Sequence, residues 1–172
     1  TYPDATVLMR GIARGRLVRA AAGDRDAVLK LVERLNALEP QNTENISIEA
    51  TALLNDTAVD ARSRVAKLLD AALTTPPAAA DVYIQLANVA LSINRPLVAE
   101  QLVQRGITFE PGNIDLLMIR AEQALSRGQL DVAHDFARSV QRREPLRRRA
   151  WEILLEVASS RGDEAGMREG LA

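Results

Sequence analysis

Residues 81–113 read DVYIQLANVALSINRPLVAEQLVQRGITFEPGN, and residues 115–147 read DLLMIRAEQALSRGQLDVAHDFARSVQRREPLR. Laid over one another at a shift of 34, the two stretches agree where packing would demand it. Tyr83, Leu117 and Trp151 are bulky and 34 apart. Ala87, Ala121 and Leu155 follow the same step, as do Ala90, Ala124 and Ala158. Ala99 and Ala133 continue it, with Met167 in the third place. Pro77, Pro111 and Pro145 keep the period, and so do Gly128 and Gly162. Working outward, Pro40 lies 37 residues before Pro77, and Gly23 lies 105 before Gly128, three periods plus the same excess of three. Different residue types hold one register, which is the signature of a repeat architecture.

Each unit reads as two helices. Tyr83, Leu86, Ala87 and Ala90 recur at helical spacing on one face. Asn94-Arg95-Pro96 interrupts them, and Pro suits the first turn of a new helix. Residues 97–109 form the second helix, with Ala99, Leu102, Val103 and Gly106 inward. Glu110-Pro111-Gly112-Asn113 closes the unit, because Pro ends the helix before it and Asn113 can cap the next one. Gly128 and Gly162 mark the inter-helix turns of the next two units, where a left-handed residue is wanted. Small residues stand where two helices cross, and large ones where a gap needs filling. A pair this short cannot bury its apolar face alone, so neighbouring pairs must stack.

These residues resemble the tetratricopeptide (TPR) repeat. The match is carried by Tyr83, Leu86, Ala87, Ala90, Ala99 and Pro111, then by Leu117, Ala121, Ala124, Gly128, Ala133 and Pro145. Trp151, Leu154, Ala158, Gly162 and Asp163 carry it in the last unit. Gly23, Asp24, Val28, Val32, Leu35 and Pro40 match in the second half of the first unit, whose first helix departs at Gly15 and Arg16. Arg120 departs too, where the family prefers an aliphatic residue, and the second unit is degenerate. The resemblance implies an all-α, right-handed α-solenoid of about five helix-turn-helix repeats, at 9–42, 46–79, 80–113, 114–147 and 148–172, forming one domain. The last unit ends short, and the chain starts at Thr1 rather than Met, so a module of a longer bacterial protein is expected.

Composition narrows the function. The chain has 172 residues, 22 Lys plus Arg against 23 Asp plus Glu, one His and no Cys. Near-neutral charge without interleaved aromatics argues against nucleic acid. No run reaches the ~18 apolar residues of a membrane span, so no direct membrane insertion is expected. Without Cys there is no disulfide, thiolate metal site or Cys nucleophile. His134, beside Asp135, is the lone imidazole, so no catalytic triad, metal site or cofactor site is expected and the chain reads as a non-enzyme. Sequons at Asn45 and Asn55 are short enough to arise by chance. Gly11 and Gly15 form G-x-x-x-G, but Arg10, Arg14 and Arg16 exclude a membrane dimer motif; close helix packing or a frayed helix is expected.

Two basic clusters stand out: Arg10, Arg14, Arg16 and Arg19, and the group around Pro145. Arg142 and Arg143 end a helix, where cations are favoured. Arg147, Arg148 and Arg149 start one, where they are not, and so suggest a basic rim for an acidic partner. Arg148 and Glu152 are spaced to pair on a helix.

In the family resembled, first helices line a concave groove. The register places Asp81, Ile84, Asn88 and Leu91 there, then Asp115, Met118, Glu122 and Leu125, then Arg149, Glu152, Glu156 and Ser159. Ile84, Leu91, Met118 and Leu125 would form an apolar strip with a polar rim, the signature of a binding surface. Chaperone-binding members clamp a C-terminal carboxylate with basic residues and Asn. Asn88 fits one such position, but Ile84, Ile119 and Ile153 occupy others, so the resemblance implies no clamp. The expected function is a non-enzymatic scaffold binding a protein partner through this groove. The expected setting is a bacterial envelope assembly such as exopolysaccharide synthesis or secretion, in the periplasm rather than the cytoplasm. The alternatives are a homo-oligomerising assembly module and a substrate-docking segment of a larger modifying enzyme.

Overall fold

The computed structural model describes residues 3–163, except 22, 55, 57, 59 and 76–78, together with Gly166. The described residues form nine α-helices and no strand: α1 (Pro3–Arg19), α2 (Asp24–Leu38), α3 (Thr43–Leu53), α4 (Ala61–Thr74), α5 (Ala80–Ser92), α6 (Pro96–Phe109), α7 (Ile114–Ser126), α8 (Leu130–Arg143) and α9 (Arg148–Arg161). Asn55, Pro77, Met167 and nearly all of the expected last helix lie outside the described residues.

The repeat is written into the backbone. Asn94, Gly128 and Gly162 have φ of 60°, 69° and 67°, and they are spaced by 34 residues. Asn94 thus takes the place that glycine holds in the two later turns. Asn is the side chain that best tolerates this region. The hydrogen bonds repeat as well. Arg95 N–H donates to Ala90 O at 2.8 Å, Gln129 N–H to Ala124 O at 2.9 Å, and Asp163 N–H to Ala158 O at 2.9 Å. Each closes the end of a first helix with the six-to-one bond of a Schellman turn. Asn113 caps α7, its side chain accepting from Leu116 N–H at 3.1 Å, and Asn42 caps α3 through Glu44 N–H at 2.9 Å.

The chain divides into two compact units, Thr1–Leu102 and Val103–Ala172. In the first, α3 packs on α1, α2, α4 and α5. It has no broad solvent face, and Thr43, Asn45, Ser47 and Glu49 are buried with its apolar residues. A helix covered on all sides shows no apolar stripe, which is why the second repeat reads as degenerate. Its polar groups find partners instead. Ser47 Oγ donates to Gln85 Oε1 at 2.7 Å, and Arg64 Nε donates to Glu49 Oε1 at 2.9 Å.

In the second unit α7, α8 and α9 pack on one another. Leu117, Met118, Ala121, Ala124, Ala133, Ala137, Val140, Ala150, Ile153, Leu154 and Val157 form the core. Trp151 packs against it half-buried, and its Nε1 donates to Pro145 O at 2.8 Å. The aromatic therefore fills space and fastens the turn before its own helix.

Two expectations need correction, on the helix starts and on the paired glycines, while the chance reading of the Asn45 sequon stands. The first helix begins at Pro3, not near residue 9, and the third at Thr43, not near 46. Gly11 and Gly15 sit in a continuous helix, and a Cβ at either would meet nothing within 4 Å, so neither serves close packing among the described residues. Asn45 is fully buried and bonded at both ends of its amide, so the folded chain offers no glycan acceptor there.

Candidate functional site

The expected groove residues fall in the two units and are described separately. In the first unit, α5 presents Asp81 and Asn88 to solvent, with Ile84 half-buried and Leu91 43% exposed. The spacing 81, 84, 88, 91 puts all four on one helical face. Among the described residues, neither Asp81 nor the Asn88 amide has a hydrogen bond or ion pair. Their positions are held from behind, where Val82, Leu86 and Val89 are buried. Ser47 Oγ bonded to Gln85 pins α5 to α3.

The second unit departs from expectation. Met118 is only 5% exposed and belongs to the core, and Leu125 is half-buried against that core. The crossing of α7 with α8 and α9 covers the face that was expected to be open, so Met118 is no part of an exposed strip. The charged residues are tied to each other. Arg147 meets Asp115 at 2.6 Å and Glu144 at 3.4 Å. Arg149 meets Glu122 at 2.9 Å and Glu152 at 3.1 Å, and Arg148 meets Glu152 at 3.1 Å. Hydrogen bonds to Glu122 and Glu152 raise the pKa of Arg149 above its ordinary value. Three arginines at a helix N-terminus are thus compensated by carboxylates of α7, α9 and the intervening turn, not left as a free basic rim. Glu156 and Ser159 are exposed farther along α9.

The N-terminal cluster is paired in the same way. Arg10 is buried; its Nε donates to Asn45 Oδ1 at 3.0 Å, and it pairs with Glu39 and, at 3.8 Å, with Glu44. Arg14 reaches Glu44 at 3.1 Å. Arg16 and Arg19 share Asp24, at 3.7 and 2.5 Å. Asp24 is held below the usual carboxylate range, first by its bond from Arg19, against the opposing effect of burial. Glu39 is lowered too, first by a hydrogen bond from Thr6 and then by the Arg10 charge.

The remaining sequence features have plain surroundings. His134 Nδ1 lies 3.2 Å from Asp135 Oδ1 at the surface. Among the described residues, no group of three His, Asp or Glu side chains could hold a metal, and no helix is long and apolar enough to cross a membrane. Arg120 stacks 6.0 Å from the Phe136 ring centroid, which accounts for a cation in an aliphatic position. Sequence reasoning missed the buried polar row of α3; the alternation of Asn45, Ser47 and Glu49 with Ile46, Ile48 and Ala50 was the available signal.

No family model and no curated protein matches the chain by sequence. Solved structures do match the fold. A crystal structure of MamA superimposes with a TM-score of 0.70 at 17% identity, over 96% of this chain and 87% of that one. The MamA RS-1 ArsTM double mutant gives 0.72 at 16% identity, over 99% and 93%. YrrB, described as a TPR protein with an unusual peptide-binding site, gives 0.69 at 13% identity, over 91% and 79%. The fold is of the TPR type.

Proposed function

We propose that the chain is a non-enzymatic scaffold that binds a protein partner along the exposed faces of its first helices. The observation that carries this reading is the α5 surface. Asp81 and Asn88 are exposed and unbonded among the described residues, beside half-buried Ile84 and exposed Leu91. Solvent-facing polar groups without a protein partner, flanking apolar area, suit an extended or helical peptide, which supplies hydrogen bonds and a side chain together. The peptide-binding site of YrrB, on a similar fold, lends support by analogy. In the second unit the reading extends to Asp115, Glu122, Arg149, Glu152 and Glu156 as a rim, with the ion pairs exchanging partners on binding. Arg147 and Arg148 would take part only through that exchange.

The setting we favour is a bacterial envelope assembly, with exopolysaccharide synthesis or secretion as the specific case. It rests on the repeat resemblance and on the bias to Arg, with only Lys30 and Lys67 as lysines among 22 basic residues, a bias common in GC-rich bacterial genomes. The test is affinity capture from a lysate of the source organism, with wild type beside Asn88→Arg plus Leu91→Glu. Loss of one specific partner, at unchanged helicity and melting, supports the reading. Equal capture by both proteins overturns it.

Self-assembly is the second reading. It is favoured by Val7, Leu8, Ile12 and Val18, which α1 turns outward at 66%, 64%, 43% and 88% exposure. A sedimentation coefficient that rises with concentration would support it.

A further inference from the structure

The first helix is built inside out relative to the helices around it. Val7, Leu8, Ile12 and Val18 face solvent, Met9 and Leu17 are half-buried, and among the described side chains of α1 Thr6, Arg10 and Ala13 are the buried ones. Ala13 joins the core of Val28, Val32, Ile48 and Ala52, and partly buried Leu17 packs against it. Charged and polar contacts also fasten α1 to α2, α3 and the turn between them: Arg10 with Glu39, Asn45 and Glu44, Arg14 with Glu44, and Arg16 and Arg19 with Asp24. A cleft of about 230 Å³ lies at the C-terminal end of α1, lined by Arg16, Leu17, Ala20, Asp24, Thr51 and Ala52.

We propose that α1 is a charge-latched helix, able to undock from α2 and α3 as a unit while the rest of its compact unit stays folded. Salt screens exposed ion pairs and spares buried ones, so the pairs it reaches here are those of the part-exposed Arg14, Arg16 and Arg19 with Glu44 and Asp24. Pairs taken out of water also return little net stability, since desolvation offsets their attraction. An element that leans on such pairs sits toward the low end of the local stability range. Undocking uncovers Val28, Val32, Ile48 and Ala52, an apolar stripe one helix wide between α2 and α3. Ionic conditions thereby control when that stripe is open.

The test is segment-resolved hydrogen exchange on the full chain at about 0.05 M and about 1 M NaCl, where the screening length falls to about 3 Å. The expected result is exchange in residues 5–19 that accelerates about ten-fold with salt, while residues 24–53 keep their rates. Glu39→Gln should speed α1 exchange at low salt and shrink its salt response. If that variant unfolds the whole unit, Arg14→Gln removes only the exposed pair with Glu44 and should give a smaller change of the same sign. The proposal is overturned if α1 exchanges in step with α2 and α3 at both salt concentrations, or if its rate does not respond to salt.

Discussion

Arg149 at the start of α9 reaches back 2.9 Å to Glu122 on α7, so the first helices of two successive repeats are joined by a direct ion pair. The same guanidinium holds Glu152 one turn along its own helix. The pair offsets the unfavourable placement of a cation at a helix N-terminus.

Both partners are about half exposed, so the pair stabilises modestly. Glu122→Gln should cost less than about 1 kcal/mol, and the loss should shrink in high salt. Urea unfolding at two ionic strengths would measure both.

Met118 gives a sharper contrast. It is 5% exposed in the core of the second unit. Met118→Glu would bury a carboxylate without a partner and should destabilise by about 3 kcal/mol or more. Leu91→Glu, on the open face of α5, should stay within about 0.5 kcal/mol. Thermal melts of the two variants side by side would check the contrast.

The left-handed turns predict one loss and one near-neutral change. Gly128 has φ of 69°, and a Cβ there would meet nothing within 4 Å. Gly128→Ala should therefore lose about 1 kcal/mol from backbone strain alone. Asn94→Gly, at φ 60°, should be near neutral. Denaturant midpoints at equal slope would separate them.

Acid should act on the first unit through Asp24 and Glu39. Both carboxyls have lowered pKa values in the folded chain. The unfolded chain therefore binds protons first as pH falls, and stability decreases. The contribution should be intact from pH 7 to about 5, begin to fall near the ordinary carboxylate value of about 4, and vanish below the folded values. Asp24→Asn should flatten that segment of a stability-versus-pH curve.

Trp151 is half-buried and bonded to Pro145 O. Trp151→Phe should cost about 1 kcal/mol for the hydrogen bond, and Trp151→Ala about 3 kcal/mol for bond and packing together. Chemical denaturation of both would give the split.

The last three repeats were legible because their signals are local. Tyr83, Leu117 and Trp151, the crossing alanines and the turn glycines each report their own surroundings, and one period binds them. The second repeat was hidden because α3 is covered by four helices, so its sequence carries no two-sided pattern. The first helix was misplaced because Arg10, Arg14, Arg16 and Arg19 bind it to the fold through carboxylates up to 34 residues away. Spacing along one helix does not reveal such partners. The same holds for Arg147 and Arg149, whose acids sit 32 and 27 residues back. Of the expected binding face, the α5 residues stay open and Met118 does not, because burial depends on neighbours that a register alone does not supply.

The central claim is that a partner docks on the α5 face, and site-specific photo-crosslinking tests it most directly. A photoreactive residue would replace Asn88 in one protein and Lys67, exposed on α4, in another. The account predicts a discrete adduct from position 88 in the native lysate and none from position 67. An adduct from 67 with none from 88 would contradict it.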